Sequence, residues 1–202
     1  MRISNRFEKH IVAAATVAMS AAATANAAVV TWNCNLNIPN TDDGLYINVE
    51  TQVAGAPAGL VAGWDLNPYG TSAIEMRWFA VSIPSCVMGL GQGGTTIAVA
   101  SLSGGTLVSS ASTFGNNNSS VTAGGWMLNA ANYFGFQFIA ADGLTHYGYG
   151  VMTVGADMGA RTLTSVYFES TAGAAITIAA VPAPGALALL GLAGFASRRR
   201  RA

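Results

Sequence analysis

The sequence predicts an all-β body, an antiparallel β-sandwich or jelly roll, flanked by a short helix at each end. Three observations predict it. Apolar and polar residues alternate with period 2 through most of the middle of the chain, the pattern of half-buried strands. Clusters of Gly, Asn, Asp, Ser and Pro interrupt that alternation at short intervals. Little helical periodicity lies between the strand-like stretches. With 202 residues, the chain holds one domain with a real core once its two ends are set aside.

Taken in order, "MRISNRFEKHIVAAATVAMSAAATANAAVV" has the three parts of a secretory leader. Arg2, Arg6 and Lys9 make the first part basic. An apolar run from Ile11 to about Ala23 follows. Ala25 and Ala27 then supply the small residues before a cut, expected after Ala27. The alternative, an uncleaved anchor, needs a longer run than this one. Residues 1–27 are therefore read as a signal peptide and 28–180 as the exported β domain.

Strands are expected at "GLYINVET", where Leu45, Ile47 and Val49 face one way and Tyr46, Asn48 and Glu50 the other. In "AIEMRWF", Ile74, Met76 and Trp78 alternate with Glu75, Arg77 and Phe79. In "YFGFQFIA", Phe134, Phe136 and Phe138 form one face. "TTIAVASL", "THYGYGVMTV", "TLTSVYFES" and "AAITIAA" follow the same pattern. Turns are expected at "NTDDG", "AGAPAG", "LNPYG", "GQGG", "SGG", "AADG" and "GADMG", and "GNNNSS" as an exposed loop tip.

Export makes the two cysteines informative. Cys34 and Cys86 are expected to form a disulfide in an oxidising compartment. It would close a loop of about 53 residues and contribute about 4 kcal/mol. Two buried free thiols are the alternative.

The formal charge is zero, but the distribution is uneven. Once the basic leader and the final arginines are removed, only Arg77 and Arg161 face eight carboxylates, and no lysine remains. A body that is net negative has no nucleic-acid footprint. Neutral glycans, cations and protein faces stay open as partners.

Candidate chemistry is sparse. His146 is the one histidine left after the leader, and Gly148 and Gly150 on its strand face leave space for a ligand or a neighbouring aromatic. Neither a nucleophile motif nor a metal-binding histidine pair accompanies it, so a structural role is favoured and no catalytic residue, metal or cofactor is assigned. Asp42, Asp43, Asp65, Asn67, Asp142 and Asp157 sit at turn signals. They are read as bonding their own backbone, with calcium as the alternative. Trp32, Trp64, Trp78, Trp126, Tyr69, Tyr147 and Tyr149 supply either core or a sugar platform.

The last stretch, "VPAPGALALLGLAGFASRRRRA", resembles the PEP-CTERM sorting signal of exported bacterial proteins. Pro182 and Pro184 match its two prolines, 185–197 its hydrophobic segment, and Arg198, Arg199, Arg200 and Arg201 its basic cluster. Ala183 stands where that signal carries glutamate. "DGLYINV", "GWDLNPYG", "YFGFQF" and "THYGYG" are similar to a recurring ectodomain of such proteins. The resemblance implies delivery by the export machinery and processing near Pro182, Pro184 and Gly185 by an exosortase-like membrane enzyme. It also implies transient membrane association through the tail, with extracellular polysaccharide as a possible partner. The expected function is a non-enzymatic surface or extracellular-matrix protein. A carbohydrate-binding module is the first alternative and a glycoside hydrolase the second. The expected location is the cell surface, outer envelope or matrix.

Overall fold

The computed structural model describes residues 28–79, 86–90, 98–115, 118–120 and 124–179, with the backbone alone at 86–90 and 118–120. Ala25, Ala27, Pro182, Pro184, Gly185 and Arg198 to Arg201 lie outside the described residues, as do both expected flanking helices.

The described chain is all-β and antiparallel, with one 3-10 turn at Ala58–Leu60. The strands are β1 (Val29–Ile38), β2 (Tyr46–Asn48), β3 (Val53–Gly55), β4 (Asn67–Tyr69), β5 (Glu75–Phe79), β6 (Cys86–Leu90) and β7 (Ala98–Val99). They continue with β8 (Leu107–Val108), β9 (Phe114–Gly115), β10 (Asn118–Ser120), β11 (Ala130–Ile139), β12 (Thr145–Val154), β13 (Arg161–Glu169) and β14 (Ile176–Thr177). The main sheet runs β1-β13-β12-β11-β6-β7, with β9 also on β6. A three-stranded sheet, β10-β5-β4, and the ribbons β2-β3 and β8-β14 complete the set.

Phe134, Phe136 and Phe138 line one face of β11 and are fully buried, each stabilising the fold by about 2–3 kcal/mol. Trp78 of β5 lies 4.6 Å from Phe134, so β4-β5 covers this face together with Ile47, Val49 and Leu66. Gly148 and Gly150 pair across the ladder with Phe136 and Phe134. A Cβ on either glycine would lie 2.3 Å from the facing ring. The space beside His146 is thus taken by aromatics. The opposite face carries Tyr147, Tyr149 and Val151, and Val108, Ile176 and Ile178 of the β8-β14 region cover it. Both faces of β12 are therefore buried.

Two irregularities keep apolar residues on the right side. Opposite β12, the register shifts between Val151 and Met152, leaving Thr164 as an extra residue on β13. Its Oγ1 donates to the Val151 carbonyl at 2.9 Å. This bulge lets Leu163 and Val166 share the core face. On β1 the shift falls between Asn33 and Leu36, with Asn35 at φ 48°.

Several local expectations are corrected. "LNPYG" is not a turn, because Asn67–Tyr69 is β4. Pro68 gives its carbonyl to Leu45 N at 3.1 Å, on the side away from β5, so its missing N–H costs the β4-β5 ladder nothing. "GNNNSS" is not wholly a loop tip, because Asn118–Ser120 pair with Arg77, Met76 and Glu75. Ile74 precedes β5 and is exposed.

The expected Cys34–Cys86 bridge is also corrected. Cys34 is a free thiol whose Sγ donates to the Leu163 carbonyl at 3.3 Å, and burial pushes its pKa up. Cys34 lies on β1 and Cys86 on β6, with β13, β12 and β11 between them. Four strand spacings amount to roughly 19 Å along the sheet, beyond the reach of a disulfide.

Candidate functional site

Sequence alone singled out His146, and its surroundings are closed. β12 pairs it with Phe138, whose ring centroid is 5.6 Å away, and the side chain is 5% exposed. Nδ1 lies 2.9 Å from the Glu169 carbonyl and Nε2 3.1 Å from Asp142 Oδ2. Both partners are acceptors, so the ring donates to each when it is doubly protonated. Burial alone would lower the pKa. The Glu169 carbonyl, the Asp142 carboxylate and the charge of Glu50 outweigh it and raise the value. Asp142 is held below its ordinary value, first by the Leu144 N–H and then by His146. His146 thus ties the 140–144 turn to the end of β13. Glu50 reinforces the same turn by accepting from Ala141 N at 2.7 Å.

The acidic residues read as turn residues divide. Asp157 Oδ1 accepts from Gly159 N and Ala160 N, and Asp142 Oδ1 from Leu144 N, as expected of turns. Asp65 and Asn67 are buried. Asp65 Oδ2 accepts from Val49 N at 2.8 Å, while burial, opposed by that bond, lifts its pKa to about 7. Among the described residues, no three His, Cys, Asp or Glu side chains gather to hold a metal.

Arg161, not weighed as a site in the sequence, is a buried cation. Its guanidinium donates to the carbonyls of Met158 (3.1 Å), Pro39 (3.0 Å) and Gly70 (2.7 Å). Burial lowers its pKa to about 10, which leaves it charged at neutral pH. Nε has no partner among the described residues.

The aromatics also divide. Trp78, Trp126, Tyr147 and Tyr149 are core, and Trp32, Trp64 and Tyr69 are half-buried. Tyr149 and Tyr167 stack on each other at 4.7 Å and 18°, which uses up their facing surfaces. A different row reaches the surface: half-buried Tyr46 and Trp64, then Phe79, 54% exposed. Tyr46 and Phe79 were missed as candidates. Their signal was their parity, since each alternates to the polar side of its strand.

Compared with known proteins, the chain matches no family profile, no curated protein and no solved structure.

Proposed function

We propose that this chain is an exported, non-enzymatic surface or extracellular-matrix protein, processed through a PEP-CTERM-like tail. In this reading 1–27 is the leader, 28–180 a β-sandwich with the β4-β5 layer over the main sheet, and 181–202 the sorting tail. The observation that carries it is the tail's three-part layout: Pro182 and Pro184, a short apolar segment, then Arg198 to Arg201. At about 1.5 Å per residue, 185–197 as a helix is about 20 Å long, short of the roughly 30 Å of hydrocarbon. Such a run suits a temporary hold, with the arginines on the cytoplasmic side.

The described body is all-β and antiparallel between Val29 and Thr177, the class of domain this reading expects.

Intact mass of the native protein, extracted from the surface of its host, tests the proposal. The expected mass lacks 1–27 and everything beyond a cut at 182–185. Full recovery of peptides spanning Leu192 to Arg198 would overturn the processing.

A further inference from the structure

We infer that Asp43, Tyr46, Trp64 and Phe79 form a binding site for neutral pyranose chains. The inference goes beyond the reading above and does not rest on export. Three rings from separate parts of the chain make a contiguous row. The Tyr46 and Trp64 centroids are 4.8 Å apart at 71°, and those of Trp64 and Phe79 6.0 Å apart at 35°. Tyr46 comes from β2, Trp64 from the segment before β4, and Phe79 from the end of β5.

A polar edge is fixed to one end of the row. Tyr46 Oη donates to Asp43 Oδ1 at 2.9 Å. Asp43 is itself held in place, because its carbonyl accepts from Asn67 Nδ2 at 2.9 Å and Leu45 N donates to Pro68 O. Gly44 permits this close seat. Its φ is 64°, and a Cβ there would lie 2.3 Å from Pro68 O. The carboxylate is therefore pre-positioned beside the rings rather than swinging free.

The chemistry selects the ligand. The C–H face of a pyranose packs on the electron-rich face of an aromatic ring, and its rim of hydroxyls needs fixed acceptors. The row offers both. A quaternary ammonium fits poorly, because Tyr46 and Trp64 touch edge to face and leave no cage between them. Polyanions are disfavoured. Asp42 and Asp43 are exposed here, and the one cation on the neighbouring strand, Arg77, is already bound to Glu75 at 3.2 Å.

The test uses the purified full chain, titrated calorimetrically with cellohexaose, chitohexaose and heparin. The two neutral hexamers distinguish plain from N-acetylated hexose chains. At least one should bind and heparin should not. Trp64→Ala and Phe79→Ala should each weaken binding about tenfold, and Tyr46→Phe less, with unchanged far-UV spectra. Phe79 is the most exposed ring, so Phe79→Ala keeps the test open if Trp64→Ala misfolds. Three outcomes would overturn the site. Neither hexamer binds at millimolar concentration, binding ignores both ring substitutions, or the row proves to be buried in a dimer that Phe79→Ala dissociates.

Discussion

Replacing Gly150 by alanine tests whether the aromatic layer on β11 is seated on the glycines of β12. The new Cβ would lie 2.3, 2.5 and 3.1 Å from Phe134 Cζ, Cε1 and Cε2. That ring cannot simply swing away, because it is fully buried against Trp78 and next to Trp126 and Phe136. Restoring ordinary contact requires a displacement of roughly 1 Å, the scale at which overpacked cores lose about 1–3 kcal/mol. Alanine recovers about 0.5–1 kcal/mol of backbone entropy relative to glycine. The expected net cost is about 1 kcal/mol, or about 2–4 °C in Tm for a body of this size. The second half of the test is a cycle with Phe134→Leu, whose shorter side chain lacks the atoms that the Cβ meets. The double variant should cost at least about 1 kcal/mol less than the sum of the singles. Gly148→Ala is the contrast. Its Cβ meets Phe136 and also the Tyr167 carbonyl at 2.6 Å, and Phe136→Leu cannot move that backbone oxygen. Urea melts followed by tryptophan fluorescence read all of these. Additive Gly150 and Phe134 effects, or equal rescue at Gly148, would refute the seating.

Two pH dependences follow from the buried charges. Asp65 has its folded pKa raised from 3.8 to about 7, so the folded state keeps a proton that the unfolded state releases. Stability should fall as pH rises from about 4 to 7 and then level off; Asp65→Asn, which can still accept from Val49 N, should be more stable than the parent at pH 8 by about 2 kcal/mol in urea melts. His146 has its folded pKa raised above 6.5, so its contribution is complete below 6.5 and lost as pH rises through the folded value. His146→Gln should flatten the stability profile above pH 6.5 and leave the Asp65 slope in place.

The long central hairpin was legible because one face of it obeys simple alternation. Phe134, Phe136 and Phe138 are two residues apart and all buried. Alternation failed where the structure departs from a two-residue repeat or from one-sided burial. β12 is covered on both sides from His146 to Gly150, so His146 and its apolar neighbours alike are interior there. The extra Thr164 shifts the inward parity of β13 from Leu163 to Val166. β4 was hidden by Pro68, a residue that ordinarily signals a turn and is tolerated here only through the direction of its carbonyl. Pairing of Cys34 with Cys86 rested on their number and compartment, whereas strand order is set by long-range contacts that no local pattern records. For the candidate site, parity pointed Tyr46 and Phe79 outward, but the meeting of both with Trp64 depends on how β2, β4 and β5 come together.

Arg161 has a consequence for how the molecule comes apart. Its three carbonyl partners belong to the end of β1, the turn before β5 and the turn before β13, so one side chain fastens segments separated by 122, 91 and 3 positions in sequence. None of those segments can peel away alone without leaving a guanidinium short of acceptors in a dry interior. Fraying of any one therefore strips this buried cation of an acceptor, which couples the three segments and should raise their protection in amide exchange together. The seam lies at the end of the body opposite His146, as shown by their places at the two ends of the β12-β13 pair. Each end of the β12-β13 pair is thus tied by a side chain that bonds main-chain oxygen, His146 to Glu169 at one end and Arg161 to Met158, Pro39 and Gly70 at the other.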